Sequence, residues 1–213
     1  MEVLQVLSAG IGTTLAITVG AFALGAVLAV PLLMLRRSAF RPAQWLAIAL
    51  VETIRSVPPI VWLFVIYYIV GVEIVQLDTF QAAILGFAII SAAYISEIYR
   101  AAIEAVPQGQ WEAAEALGLK SLPIYARVVL PQAVLLTIPP ASTFLIGLLK
   151  DSAVASVIGA ADITFLALQT ARTTGEGLTV FLAAAALYLL LSVPIAAVAR
   201  GSAGLIERKL ALA

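Results

Sequence analysis

The stretch GTTLAITVGAFALGAVLAVPLLML, from Gly12 to Leu35, carries no charged side chain over 24 residues. A helix rises about 1.5 Å per residue, so this stretch is long enough to cross the hydrocarbon core of a bilayer, which is about 30 Å thick. Four further apolar stretches follow it. The sequence therefore predicts an all-α membrane protein with a single transmembrane domain over residues 1–213, whose five transmembrane helices cover residues 12–35, 44–72, 79–99, 128–149 and 177–199.

Prolines mark two of these spans as irregular. The second span contains Glu52 and Arg55 before the pair Pro58-Pro59, and we expect one long or broken helix that bends at the prolines. The pair Pro139-Pro140 predicts a kink in the fourth span. Two uncharged pieces between the fourth and fifth spans, residues 152–161 and 163–171, are too short to cross, and we expect re-entrant or interfacial helices there.

Composition excludes several classes of function. The chain is 63% apolar and 11% charged, with 12 basic and 12 acidic residues, so its net charge gives no support for a nucleic-acid partner. It contains no histidine and no cysteine. These absences exclude imidazole and thiolate metal sites and histidine-based catalysis, so we predict no metal site and no catalytic residue.

The basic residues predict an orientation. They concentrate in the segments after the first, third and fifth spans, whereas the opposite side has only Lys150 and Arg172. Because cytoplasmic segments carry an excess of Lys and Arg, we expect the N-terminus outside, the C-terminus inside and residues 104–127 in the cytoplasm. The residues that carry this prediction are Arg36, Arg37, Arg41, Arg100, Lys120, Arg127, Arg200, Arg208 and Lys209.

The segment 104–127 predicts a short helix followed by a tight turn. Residues 108–117 are helix-forming and present an apolar edge, and Gly118 is placed to end the helix in a left-handed cap. Ser121 is placed to cap a following helix that has Pro123 in its first turn. Two interpretations of this polar segment stay open at the level of the residues, namely an interfacial connector and a surface that another protein grips.

The spacing within this segment resembles a known motif. Glu112-Ala113-Ala114, then Gly118, then Val128, Leu130 and Pro131 match the EAA loop of permeases from ABC importers, with Val128 where that family usually has Ile. Further segments resemble the branch that takes up polar amino acids. They are Arg55-Ser56-Val57-Pro58, the run from Ala93 to Arg100, Gly109-Gln110, Leu130-Pro131-Gln132-Ala133 and Leu149-Lys150-Asp151-Ser152.

This resemblance implies a type I importer-like permease subunit in a bacterial cytoplasmic (inner) membrane, and it implies specific partners. These are two ATP-binding subunits, a second permease copy or a paralogue, an extracytoplasmic amino-acid-binding protein, a polar amino acid as substrate, and membrane lipid. ATP and Mg would be bound by the partner ATPase, and this chain would hold no cofactor. The residues implied in coupling to that ATPase are Gln110, Trp111, Glu112, Ala113, Ala114, Leu117, Gly118, Leu130 and Pro131.

Hydrolysis by the chain itself is not expected. A P-loop needs Gly-Lys-Ser/Thr after an upstream Gly, whereas Leu119 separates Gly118 from Lys120 here. Two other classes of function predict different sequence features. A secondary transporter or channel for small polar solutes predicts inverted repeats, and the sequence shows none. A membrane-embedded enzyme would need a Ser–Lys or paired-Asp site within the spans, and the sequence offers no such Asp pair.

Charged residues in or near the spans are candidates for the substrate path, because burying a charge in a membrane is costly. Glu97 either forms an i,i+3 ion pair with Arg100 or faces the path. Arg55 either pairs with Glu52, serves a gate or counters an anionic group. Lys150 either extends to the headgroups or belongs to a solute site with Asp151 and Ser152. The aromatic residues of the second span favour packing, and Asp162 is a weaker candidate.

Overall fold

The computed structural model describes residues 2–211, apart from the side chains of Val72 and of residues 202–211. The regular secondary structure of its described part is helical and includes no strand, as the sequence predicts. The α-helices are α1 Glu2–Ser8, α2 Ile11–Arg36, α3 Arg41–Ser56, α4 Pro59–Phe64, α5 Thr79–Glu104, α6 Gln108–Ala116, α7 Ser121–Pro123, α8 Leu130–Asp151, α9 Ile163–Thr174 and α10 Gly177–Ala211. Segments Val65–Val75 and Ile124–Val129 are π-helical, and Ser152–Ile158 is a 3₁₀-helix.

Four helical stretches in the described part are long and apolar enough to span a membrane, and a bent pair makes a fifth candidate. The four contain α2, α5, α8 and α10, and the bent pair joins α3 to the helix Pro59–Val75 with a change of direction of more than 40°. The bend therefore lies at Pro58-Pro59, where the sequence predicts it. The side chains of Arg208 and Lys209, which the orientation argument uses, lie outside the described residues.

The pair Pro139-Pro140 does not interrupt the fourth apolar helix. α8 continues through both prolines from Leu130 to Asp151. Two side-chain hydroxyls bond to backbone in this part of the helix: Ser142 Oγ donates to the carbonyl of Ile138 at 2.8 Å, and Thr143 Oγ1 donates to the carbonyl of Pro139 at 3.1 Å. Neighbouring hydroxyls of this kind are one reason that prolines are tolerated within membrane helices.

The centre of the bundle is the contact between α2 and α5. Small residues allow the two backbones to approach closely: a Cβ placed on Gly25 would lie 2.4 Å from Cβ of Ser91 and 3.0 Å from the carbonyl oxygen of Ala88. Ala21 of α2 and Phe87 of α5 are fully buried in the main apolar cluster of the bundle. This close crossing fixes the position of the charged C-terminal ends of both helices.

Two smaller apolar clusters lie outside this centre. One joins the end of α5 to α6 and the start of α8 through Ile103, Ala114 and Ala133. The other joins α1, α9 and the start of α10 through Leu7, Ile163 and Val180. The first cluster anchors the helix that carries the predicted EAA residues.

Candidate functional site

The turn after α6 has the geometry that the sequence predicts. The helix ends at Ala116, and Gly118 adopts a φ of +73°, in the left-handed region. The N–H of Leu119 donates to the carbonyl of Ala114 at 3.2 Å, and the N–H of Gly118 donates to the carbonyl of Glu115 at 2.9 Å. This pair of bonds is the Schellman motif, which commonly ends a helix at a glycine.

Ser121 does not cap the next helix. Lys120 occupies the cap position with extended backbone, and no side-chain cap bond is present there. The carbonyl of Lys120 accepts the first helical bond, from the N–H of Ile124 at 3.1 Å. Because Lys120 is already extended after the Gly118 turn, helical geometry begins at Ser121, and the prediction of a Ser121 cap is wrong by one residue.

The inner side of α6 is fixed to the bundle by three contacts. Ala114 is buried in the apolar cluster that joins α6 to α8. The ring of Trp111 meets the ring of Tyr125 edge-on, with centroids 5.1 Å apart. Gln132 Nε2 donates to Gln110 Oε1 at 3.3 Å and so ties α6 to the first turn of α8. Three predicted coupling residues, Gln110, Trp111 and Ala114, therefore hold the helix in place.

The outer side of α6 is exposed and partly apolar. Leu117 is 80% exposed and Leu122 is 79% exposed, on either side of Gly118. Glu112 and Ala113 are exposed on the helix itself. Leu130 and Pro131, also predicted as coupling residues, are exposed at the start of α8. Leu122 is not part of the motif, so sequence reasoning missed it. Its position just after the Gly118 turn is the sequence signal that could have identified it.

Arg37 connects this element to the end of α2. Its Nη2 donates to the hydroxyl of Tyr125 at 2.8 Å, and its Cζ lies 5.7 Å from the centroid of the same ring. Tyr125 in turn contacts Trp111. A continuous set of contacts thus runs from α6 to the end of α2, and the sequence does not predict it.

Glu97 is neutralised by two arginines. It forms the expected ion pair with Arg100 at 2.9 Å, and it also pairs with Arg36 across the contact between α2 and α5. Arg100 pairs further with Glu104 at 2.6 Å. A largely buried carboxylate needs such partners. The predicted ion pair between Glu97 and Arg100 is present, and Arg36 is a partner that sequence reasoning missed.

Arg55 lies at the bend of the second span. Its Nη1 is 3.6 Å from Glu52 Oε1, as the i,i+3 spacing predicts, and its Cζ lies 5.1 Å from the ring centroid of Tyr94. Tyr94 stacks on Phe144 of α8 with ring centroids 5.3 Å apart. The Arg55 side chain is 34% exposed, so the guanidinium remains accessible beside this aromatic pair.

The bend itself is fixed by Trp62, whose Nε1 donates to the carbonyl of Ile54 at 3.1 Å across the prolines. Tyr67 and Tyr68 contact each other with ring centroids 4.9 Å apart, and Phe64 lies 5.8 Å from Tyr68. These contacts agree with the packing role that the sequence favours for the aromatic residues of this span.

The structure does not assemble Lys150, Asp151 and Ser152 into one polar site. Lys150 and Asp151 are exposed, whereas Ser152 is buried. The hydroxyl of Ser152 donates to the carbonyl of Leu149 at 2.8 Å, within its own helical turn. The exposed position of Lys150 agrees with the interpretation that its side chain extends to the headgroups.

Asp162 is more constrained than the sequence indicates. It is fully buried, and its Oδ1 accepts a hydrogen bond from the N–H of Phe165 at 2.7 Å at the start of α9. Its Oδ2 accepts one from the hydroxyl of Tyr188 at 3.3 Å. Burial raises the pKa of Asp162 to about 6, although these hydrogen bonds oppose the rise. The nearby Thr14 hydroxyl accepts a hydrogen bond from the N–H of Ile163. The hydrogen bonds around Asp162 therefore connect α2, α9 and α10.

Two further features bear on ligands. A mostly apolar cavity of about 590 Å³ lies between α2, α5 and α8, and its wall includes Phe22, Tyr99 and Ile138. Within residues 2–211, the described side chains include no group of three or more acidic, histidine or cysteine residues that could hold a metal ion.

Comparison with known proteins gives consistent similarities. The family model described as binding-protein-dependent transport system inner membrane component matches residues 21–211. The L-cystine transport system permease protein TcyB of Bacillus subtilis (strain 168) is 39% identical over 184 residues, which cover 86% of this chain and 79% of that protein. The arginine transport system permease protein ArtQ of the same strain is 34% identical over 205 residues, which cover 94% and 90%.

Solved structures agree with these relatives. The chain superposes on a chain from the crystal structure of an amino acid ABC transporter with histidines, with a TM-score of 0.86, 30% identity and coverage of 96% of this chain and 94% of that one. It also superposes on a chain from an inward facing conformation of the MetNI methionine ABC transporter, with a TM-score of 0.79, 26% identity and coverage of 95% and 96%.

Proposed function

Because the chain belongs to the family of binding-protein-dependent transport system inner membrane components, we propose that it is the permease subunit of an importer for polar amino acids. An extracytoplasmic binding protein delivers the solute, and a separate ATP-binding subunit supplies the energy. The proposal includes five membrane spans in a bacterial cytoplasmic membrane, with the N-terminus outside and the C-terminus inside. The distribution of basic residues supports this orientation.

The observation that carries the coupling role is the exposed pair Leu117 and Leu122 beside the Gly118 turn. Fully burying a leucine side chain is worth about 1.5–3 kcal/mol, so two exposed leucines on one fixed turn favour a protein partner. The EAA spacing identifies that partner as the ATP-binding subunit. The alternative function is a secondary transporter or channel for small polar solutes. Neither of these needs an apolar contact surface at this turn.

The anchoring of α6 supports rigid-body transmission. When the ATP-binding subunits close, a displacement of the Gly118 turn reaches α8 through the bond between Gln110 and Gln132 and reaches α2 through Trp111, Tyr125 and Arg37. A second permease copy or a paralogue would present the same element to a second ATP-binding subunit. ATP and Mg stay in those subunits, and this chain contributes the moving helices.

For the substrate path, the geometry favours Arg55 among the five candidates. Its guanidinium is accessible beside Tyr94, and the planar fork of an arginine matches the carboxylate that every amino acid carries. Glu97 is already neutralised by Arg36 and Arg100, which favours a structural role for it. Lys150, Asp151 and Ser152 remain weaker candidates because they form no common site.

The proposal is tested by cross-linking. The chain contains no cysteine, so Leu117→Cys introduces a single reactive thiol at an 80% exposed position. In membranes that also contain the partner ATP-binding subunit, a short thiol-reactive cross-linker is expected to join that subunit to Cys at position 117. Blot analysis of the cross-linked membranes measures the product, and uptake of radiolabelled amino acids verifies that the complex is active.

Leu178→Cys is the matched control, since Leu178 is 78% exposed at the start of α10. Its thiol is expected to give no such product and to react with a membrane-impermeant maleimide in intact cells, whereas position 117 reacts only after permeabilisation. Cross-linking at position 178 but not at 117 would reject both the orientation and the coupling role.

A further inference from the structure

A polar cleft of about 410 Å³ lies between the end of α2, the start of α3 and the end of α5. It is separate from the apolar cavity between α2, α5 and α8 and from the exposed turn after α6. The proposed substrate path does not use this cleft, and the proposed coupling involves only Arg37 of its wall. Its wall is formed by Arg36, Arg37, Gln44, Ile48, Arg100 and Glu104.

The charged residues of the cleft wall, taken together with Glu97, leave one positive charge in excess. Arg36 pairs with Glu97, and Arg100 pairs with Glu97 and Glu104, so these two arginines and two glutamates cancel. Arg37 has no carboxylate partner among the described residues: its Nη2 donates to the hydroxyl of Tyr125. The cleft is therefore suited to a ligand with a single negative charge.

The donors at the cleft suit an oxygen-rich anion. A guanidinium carries five N–H groups, and the Tyr125 bond of Arg37 uses only one nitrogen of three. Gln44 adds a side-chain amide to the same wall. The Arg36 side chain is only 8% exposed, and its Nε has no hydrogen-bond partner among the described residues. A buried donor without a hydrogen-bond partner is costly. An anion in the cleft would add a favourable charge–charge interaction with Arg36.

The helix that contributes Gln44 to the cleft also exposes apolar side chains. Trp45, which follows Gln44 in α3, is 68% exposed, and Phe40 just before α3 is 66% exposed. Exposed tryptophan and phenylalanine beside basic residues at the end of a span are typical of the membrane–water interface. A cationic cleft beside apolar side chains suits an amphiphilic ligand. Its charged group would lie in the cleft, and its acyl chains would contact the apolar side chains.

We propose that this cleft binds the headgroup phosphate of an anionic phospholipid such as phosphatidylglycerol. A phosphodiester carries one negative charge and balances the excess charge at Arg37, and the acyl chains lie along the exposed apolar side chains of α3. A zwitterionic lipid brings a second, positive charge and leaves the excess uncompensated. Because Arg37 also bonds to Tyr125 beside Trp111, the bound lipid adjoins the contacts that anchor α6.

Native mass spectrometry of the full chain, released from detergent, tests this site. Phosphatidylglycerol and phosphatidylcholine with identical acyl chains are titrated, and the ratio of their dissociation constants is measured. The wild type is expected to prefer phosphatidylglycerol, and Arg37→Gln is expected to reduce that preference about fivefold, since one arginine near an anionic lipid is worth about 1 kcal/mol. The measurement needs neither the ATP-binding subunit nor the solute, so its result is independent of the transport proposal.

Arg127→Gln is the matched control, because Arg127 is exposed in the segment before α8 and does not line the cleft. It is expected to leave the preference unchanged, and an equal loss in both arginine variants would reject the site in favour of general surface charge. Gln44→Ala leaves every ion pair in place and is expected to weaken binding about two- to threefold, as loss of one hydrogen bond does. Displacement of the lipid by inorganic phosphate alone would also overturn the proposal.

Discussion

Gly25 and Gly118 are the same residue type under opposite constraints. Gly25 lies where α2 crosses α5, and a Cβ there would meet the Cβ of Ser91 at 2.4 Å. Gly118 lies in the turn after α6, where a Cβ would meet nothing within 4 Å, and its φ is +73°. Space alone requires glycine at the first position, and backbone conformation alone requires it at the second.

The two glycines represent two regions of the molecule. Gly25 belongs to the packed bundle, and Gly118 belongs to the exposed surface that is available to a partner protein. In the crossing of α2 and α5, a larger side chain forces two helices apart and changes the whole structure. At the Gly118 turn, a larger side chain has room, but it strains the backbone that positions Leu117 and Leu122. Substitutions should therefore affect folding in one region and coupling in the other.

The largest effect is expected for Gly25→Leu. The new side chain has to displace Ser91 and the backbone of α5, and overpacking of this kind costs about 3 kcal/mol or more. We expect the variant to accumulate poorly in membranes and to unfold at a lower temperature in mild detergent. The yield of monodisperse protein on size exclusion and the thermal midpoint measure these two quantities.

Gly12→Leu provides the control in the same helix, since a Cβ on Gly12 meets nothing within 4 Å. A leucine there is expected to be neutral or slightly stabilising, because it has a higher helix propensity than glycine. Equal losses from both variants would mean that the close approach of α2 to α5 is not what makes Gly25 necessary.

The next largest effect is expected for Gly118→Val. A β-branched residue in the left-handed region costs about 1–3 kcal/mol, and the turn relieves this strain by moving Leu117 relative to Leu122. We expect the complex to assemble and hydrolyse ATP while uptake per ATP falls about tenfold, the factor that corresponds to 1.4 kcal/mol. Parallel assays of ATP hydrolysis and solute uptake in proteoliposomes measure this ratio.

Gly109→Val is the control for that experiment. A Cβ on Gly109 also meets nothing within 4 Å, and Gly109 is not among the glycines with positive φ. It lies in α6, two residues before Trp111, so the variant adds the same side chain to the same element without the strain. If both variants lose coupling equally, bulk near the surface matters and the left-handed turn does not.

The sequence predicts the features that depend on local patterns. Charge-free length predicts the apolar helices, Pro58-Pro59 predicts the bend, and the position of Gly118 predicts the left-handed cap. The i,i+3 spacing predicts the ion pair between Glu97 and Arg100, because neighbours within one helix are fixed by helical geometry.

The features that the sequence misses depend on how separate helices meet. Arg36 is far from Glu97 along the chain, and Arg37 is far from Tyr125, so no local spacing predicts either contact. Asp162 is similar, since its burial follows from Tyr188 and from the close approach of Gly10, whose Cβ would lie 2.6 Å from the Asp162 backbone. A single sequence carries no direct signal for such crossings.

Asp162 is where the packed side of the comparison meets a charge, and the effect expected there is on the pH dependence of stability. Its raised pKa, about 6, means that the folded state holds a proton that the unfolded chain loses near pH 4. The stabilising contribution of that proton is complete below about pH 4 and is lost as the pH rises through about 6. At pH 7.5 the folded protein therefore bears an ionised carboxylate in an unfavourable environment.

Asp162→Asn removes this charge but keeps a side chain that caps a helix. We expect the variant to be about 2 kcal/mol more stable than the wild type at pH 7.5, a gain that corresponds to a rise of about 4–8 °C in thermal midpoint. The gain should shrink as the pH is lowered towards 5, because the wild-type carboxylate then becomes neutral as well. Thermal unfolding in detergent at several pH values measures both trends.

Asp78→Asn is the matched control, because Asp78 caps α5 in the same way, with its carboxylate accepting from the N–H of Gln81 at 2.7 Å, but it is exposed. An exposed carboxylate keeps its contact with water, so this variant should show no comparable gain in stability at pH 7.5. A gain at Asp78 as large as that at Asp162 would point to net charge rather than burial. A loss of stability for Asp162→Asn at pH 7.5 would show that the hydrogen bonds from Phe165 and Tyr188 stabilise the ionised form more than burial disfavours it.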